Sequence, residues 1–170
     1  DWSLKLLKRI GERALPRIIT CGLKEKRDPS AVCSLIAILG DIHTEQSKNA
    51  IEKHLQNTDP EIVAAAVRAM EKHGGEHIIN QFIDSLIEKV ESKDGEERDR
   101  SIVLLKKIGE RALPRIIDNG FKKKRNPFVI GNLLRILGDI RTRESKDIIQ
   151  EHLKSKISEI VVAAMEAADR

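Results

Sequence analysis

Five histidines, two cysteines and two runs of basic residues are the side chains in this sequence that could carry chemistry. His73-Gly-Gly-Glu-His77 sets two imidazoles four residues apart, which on one helix face could hold a metal ion. Gly74 and Gly75 break the helix that would align the rings, so the motif is read as a solvated turn. His54 and His152 sit in matching contexts, each just before a leucine, and are read as half-buried side chains. Cys21 and Cys33 have no metal-type or redox-type spacing and are read as small buried hydrophobes. The sequence contains no Walker loop, dinucleotide fingerprint, Gly-x-Ser-x-Gly elbow or repeated acidic metal motif, so no catalytic residue, metal ligand or cofactor is assigned.

Binding chemistry is better represented. Lys24-Glu25-Lys26-Arg27 and Lys122-Lys123-Lys124-Arg125 both lie where a helix should end, and basic side chains there complement the negative end of the helix dipole. They could equally contact phosphates or acidic protein surfaces. The net charge of +4 is unevenly spread: residues 1–98 carry 15 basic and 17 acidic groups, residues 99–170 carry 16 and 10. Aromatic content is only 2%, in Trp2, Phe82, Phe121 and Phe128, which argues against binding single strands by base stacking.

The elements that position these residues are helices. Leu, Ile, Ala, Glu, Lys and Arg dominate, the charged fraction is 34%, and no segment alternates with period two long enough to form a strand. Ile10-Gly-Glu-Arg-Ala-Leu-Pro-Arg-Ile-Ile19 recurs unchanged at 108–117, and sliding the chain by 98 residues makes 38 of 72 aligned pairs identical. Within each copy a finer beat of about 30 residues, the mark of a helical solenoid, is punctuated by Asp28-Pro29, Asp59-Pro60 and Asn126-Pro127 and by Gly11, Gly40, Gly74, Gly109 and Gly138. Asp or Asn before Pro supplies an N-cap and a first helical residue, whereas each Gly is expected to take the left-handed conformation that ends a helix. Helices are predicted to begin near Ser3, Arg13, Pro29, Glu45, Pro60, Glu76, Glu96, Arg111, Pro127, Arg143 and Ser158. The spacing predicts an all-α fold, a right-handed α-solenoid of about five and a half antiparallel hairpins in one domain over 1–170, built from super-repeats 1–98 and 99–170. The second super-repeat is incomplete, which predicts a fragment of a longer protein.

"DPEIVAAAVRAMEKHGGEHIINQFIDSL" and "LGDIHTEQSKNAIEKHL" resemble HEAT-like repeats of the short phycobilin-lyase type. The resemblance spans nearly the whole chain, with a departure at the shorter turn Gly-Glu-Arg-Ala-Leu-Pro of the first and fourth hairpins. It implies a superhelix with first helices on the convex side and second helices on the concave side. Its functions range over scaffolds, adaptors, lyase subunits and nucleic-acid binders. Some HEAT-like proteins are di-iron hydroxylases with repeated His-Glu dipeptides, and this chain has no His-Glu in that order.

Projecting the second helices onto that concave face gives five ridges. Arg13/Arg17/Thr20/Lys24, Arg111/Arg115/Asp118/Lys122 and Arg143/Lys146/Gln150/Lys154 are basic. Glu45/Lys48/Glu52/Gln56 and His77/Gln81/Asp84/Glu88 are acidic. The acidic ridges interrupt the groove that a long duplex would need. The expected function is a non-enzymatic interaction or scaffold module that binds a protein or peptide, with acidic surfaces as the preferred partners. Nucleic-acid binding by the C-terminal ridges is the alternative, and a lyase or signalling-enzyme subunit a further one. Candidate partner-binding residues are Arg13, Arg17, Lys24, Arg111, Arg115, Lys122, Lys123, Lys124, Arg125, Arg143, Lys146 and Lys154. With no stretch of about 20 apolar residues to span a bilayer and no signal-like start, a cytoplasmic location is expected.

Overall fold

The computed structural model describes residues 10–23 and 28–170. The helix expected near Ser3 and the run Lys24–Arg27, including candidate Lys24, lie outside the described residues. The described residues are helical and contain no strand.

The chain divides into two compact units, Asp1–Ile79 and Asn80–Arg170. In the first, a 3-10 turn Gly11–Ala14, an α-helical turn Leu15–Arg17 and a π-helical turn Ile18–Gly22 run on as α1 (11–22). It is followed by α2 (Pro29–Gly40), α3 (Glu45–His54) and α4 (Pro60–Lys72). Helix α5 (Glu76–Lys89) leads into the second unit. That unit continues with α6 (Gly95–Ile108), then α7 (109–121), which joins the 3-10 turn Gly109–Ala112, the α-helical turn Leu113–Arg115 and the π-helical turn Ile116–Phe121. Helices α8 (Pro127–Ile140), α9 (Arg143–His152) and α10 (Ser158–Ala168) complete it.

The predicted starts agree with these bounds to within two residues among the described helices, because the caps act locally. Asp28, Asp59 and Asn126 each accept a backbone N–H of the first turn, from Ala31, Glu61 and Val129, ahead of a proline that has no N–H to satisfy. Thr44 and Thr142 cap α3 and α9 through the N–H groups of Ser47 and Ser145.

Each unit stacks its helices in the same way. In the first, α2 packs on α3 and on α4. In the second, α8 packs on α9 and on α10. Helices that lead successive hairpins thus lie against one another, and the described residues form repeated helical hairpins. The cores are aliphatic, with Ile36, Ile38, Leu39, Ile51 and Met70 fully buried in the first unit and Leu105, Ile116, Leu133 and Leu134 in the second.

Two glycines admit a neighbouring helix. Gly11, Gly74 and Gly109 have positive φ, as expected of stop signals. Gly40, the last residue of α2, and Gly138, inside α8, do not take positive φ and mark where neighbouring helices cross closely. A Cβ on Gly40 would lie 3.0 Å from Ala69 Cα, and one on Gly138 would lie 2.7 Å from the Ala167 carbonyl oxygen. Close backbone approach, not chain reversal, requires glycine there. Among the described residues the one non-glycine with positive φ is Arg141, at 61°, just after α8.

Candidate functional site

Three of the histidines, His54, His73 and His152, hydrogen-bond to backbone carbonyls. His54 Nδ1–H donates to the Ala50 carbonyl and His152 Nδ1–H to the Ile148 carbonyl, each at 2.8 Å, and both rings are half-buried. Phe121 packs on His152, with ring centroids 5.0 Å apart. His73, just past α4, makes a hydrogen bond to the Leu39 carbonyl at 3.0 Å, while His77 is exposed on α5. Gly74 turns the chain between them, so the two rings do not share a helix face. Among the described residues no group of three His, Cys, Asp or Glu side chains could hold a metal ion.

The cysteines differ from expectation. Cys33 is half-buried, and Cys21 is exposed. Burial, then the carboxylates of Asp59 and Glu61, push the Cys33 thiol up, which is opposite to what a nucleophilic thiolate requires. Cys21 lies on the outer side of α1, four residues after Arg17, at the position that Asn119 takes in the second copy.

The basic candidates separate into three groups. The first is engaged inside the second unit. Arg115 makes a two-pronged contact with Asp84 of α5: its Nε donates to Oδ1 at 2.9 Å and an Nη donates to Oδ2. Asn119 Nδ2 donates to the same Oδ1 at 2.6 Å, and Arg111 donates to Asn80 Oδ1 at 3.4 Å. Lys123 reaches Glu88 at 2.9 Å. Arg125 donates to Glu88 at 3.0 Å, to Glu91 at 2.5 Å and to the Asn119 carbonyl at 2.9 Å. Its side chain is 2% exposed, so it sits within the molecule. Lys122 pairs with Asp118 one turn back on its own helix.

This ladder is the acidic ridge of α5 meeting the basic ridge of α7. Both stripes have i, i+4, i+8 spacing, so Asn80, Asp84 and Glu88 present a line that Arg111, Arg115 and Asn119 can match. Burial raises the Asp84 carboxyl, but hydrogen bonds from Arg115 and Asn119 outweigh it and hold the group below the usual carboxylate range. Glu88 is lowered by Lys123 above all, with Arg125 adding to it. Sequence projection placed Asp84, Glu88, Arg111 and Arg115 on its ridges but put His77, Gln81, Asp118 and Lys122 beside them in place of Asn80 and Asn119. It missed that the two lines face each other, because separations of 31 to 37 residues leave no local signal.

No family model and no curated protein matches the chain. It is similar to an engineered protein of the Northeast Structural Genomics Consortium at 17% identity, over 98% of this chain and 87% of that one, with a TM-score of 0.36. It is similar to human deoxyhypusine hydroxylase at 14% identity, over 98% and 87%, with a TM-score of 0.38. A second engineered protein of the same consortium shares 18% identity over 98% of this chain and 52% of that one, with a TM-score of 0.32.

The second group of candidates is Lys124, Arg143, Lys146 and Lys154, which are exposed and make no ion pair with a described residue. Arg143 and Lys146 stand on α9, and Lys154 lies just beyond its end. Lys146 and Arg141 rim a groove of about 450 Å³ whose apolar lining includes Leu137, Ile149 and Ala167. The third group is Arg13 and Arg17, both exposed on α1 and likewise without an ion pair to a described residue. Among the described residues no helix is long and apolar enough to cross a membrane.

Proposed function

We propose that the chain is a non-enzymatic interaction module of HEAT-like repeats, a right-handed solenoid segment, that binds an acidic amphipathic stretch of a partner protein along α9. One observation carries this reading. Arg115, Lys123 and Arg125 are drawn into ion pairs with Asp84 and Glu88 of α5, whereas Arg143, Lys146 and Lys154 stay exposed, and Lys146 with Arg141 and Arg170 lines a groove that also holds Leu137, Ile149 and Ala167. Cations next to an apolar floor suit an acidic segment that also has hydrophobic side chains to bury, since charge supplies steering and register and the floor supplies desolvated contact. Phosphates would use the cations and gain nothing from Leu137 or Ile149.

The test is a titration of the chain and of its R143E/K146E/K154E variant with two probes: an acidic amphipathic peptide rich in Glu and Leu, and a 20-base-pair DNA duplex. The peptide should bind the unmodified chain and lose about tenfold or more with the variant. Duplex binding with a steep salt slope, in place of peptide binding, would reassign the face to nucleic acid.

A further inference from the structure

His43 and His73 are far apart in the sequence, and the first unit brings their rings together, with centroids 5.2 Å apart and planes tilted by 56°. His43 stands in the turn between α2 and α3, and His73 directly follows α4. The His73 ring is anchored. Its Nε2 lies 3.0 Å from the Leu39 carbonyl oxygen, near the end of α2, and 3.4 Å from Ser47 Oγ on α3. A carbonyl oxygen only accepts, so Nε2 carries the proton and the neutral ring keeps its lone pair on Nδ1. That Nδ1, and both ring nitrogens of the exposed His43, have no hydrogen-bond partner among the described residues.

A histidine that binds a metal ion has this arrangement: one ring N–H is held by a backbone carbonyl and the other nitrogen is left as the donor. Two imidazoles that share a divalent ion, each nitrogen at about 2.0–2.1 Å and the angle between them near tetrahedral, have centroids about 5 Å apart. The observed 5.2 Å matches that spacing. Folding does not require an imidazole at the first position, because the second copy holds Arg141 where the first holds His43. The ring beside His73 is therefore not that of His77, which the local His-Gly-Gly-Glu-His motif offers, but one supplied from another turn by the stacking of α2, α3 and α4.

We propose that His43 and His73 bind a divalent transition-metal ion of the imidazole-preferring class, Ni²⁺, Cu²⁺ or Zn²⁺, through Nδ1 of His73 and one ring nitrogen of His43. Two side chains fill two coordination positions, and water takes the others. An ion held there ties the turn between α2 and α3 to the end of α4. The site shares no residue with the α9 face, so either reading can fail without the other.

The test is isothermal titration of the full 170-residue chain with Ni²⁺, which favours imidazole, and with Mg²⁺, which favours oxygen. Ni²⁺ should bind at one strong site, and Mg²⁺ should not bind. His43→Gln removes one donor at an exposed position, where the fold tolerates the change, and the Ni²⁺ affinity should fall by about tenfold or more. His77→Gln removes the histidine of the local motif and should leave the affinity unchanged. His43 and His73 meet only in the folded chain, so saturating Ni²⁺ should raise the melting temperature of the unmodified chain and of His77→Gln, but not of His43→Gln. Unchanged affinity in His43→Gln, an equal loss in His77→Gln, or no Ni²⁺ binding to the unmodified chain overturns the proposal.

Discussion

Arg115 grips both carboxylate oxygens of Asp84, while Arg17, the same residue of the same repeated decapeptide, stands exposed. Local sequence and backbone are shared, and α5 lies beside the second copy. Identical substitutions at the two positions should therefore have unequal consequences. Arg115→Ala removes a charge-assisted, two-pronged contact and should lower unfolding stability by about 1–2 kcal/mol. Arg17→Ala should stay within about 0.5 kcal/mol of the unmodified chain. Urea titrations of both variants check this, and equal losses would contradict the ladder.

The same pair makes stability depend on pH. Asp84 is held below the carboxylate range in the folded chain, with Asn119 assisting Arg115 against the effect of burial. A carboxyl with a depressed folded pKa contributes its full stabilisation above its unfolded pKa of about 4 and loses it as pH falls through the folded value. Asp139, whose burial is outweighed by Lys106 and Arg170, acts in the same direction. The difference in urea midpoint between the chain and Asp84→Asn should be largest near neutral pH and shrink below about pH 4. A difference that grows on acidification would have the wrong sign.

Arg125 was grouped with surface cations by its place in a basic run, yet its guanidinium bridges Glu88, Glu91 and the Asn119 carbonyl with almost no exposure. Arg125→Ala should cost about 2–3 kcal/mol, through the hydrogen bonds and the packing of its stem. Arg125→Lys should recover only part, since an ammonium cannot span three acceptors as a planar fork does. Lys124→Ala, one residue away and exposed, should be neutral in the same thermal-melt series.

Gly138→Ala tests the close crossing of α8 and α10. The added Cβ would meet backbone atoms of Ala167 at 2.7, 2.9 and 3.2 Å, which cannot move aside without shifting the helix. The loss should be about 2–3 kcal/mol, despite alanine's better helix propensity. Gly40→Ala, with contacts of 3.0 to 3.3 Å and one of them the flexible end of Lys72, should cost less. Circular dichroism melts rank the two.

Helix positions were legible in the sequence because their causes are local. Asp59 needs only the N–H of Glu61, two residues on, and Pro60 only its own ring, to start α4 where the pattern places it. The positive φ of Gly11 and Gly109 follows from the same short range. The role of Gly40 and Gly138 was not legible, since a glycine that ends a helix and a glycine that admits a neighbouring backbone look alike until Ala69 and Ala167 are brought against them.

The sequence by itself determined the 98-residue duplication, and the helices and their caps, which depend on residues within a turn or two of one another. Of the charged stripes it placed Asp84, Glu88, Arg111 and Arg115 but not Asn80 and Asn119. Only the tertiary structure decided which charges remain available. Asp84 and Arg115 are 31 residues apart, and nothing in either stripe states that the two will be apposed. That apposition is made by side-chain hydrogen bonds between helices far apart in sequence, which exist only once the chain has folded. It draws Arg115, Lys123 and Arg125 into ion pairs, while Arg13 and Arg17 of α1, Arg143 and Lys146 of α9, and Lys154 just beyond α9 are exposed.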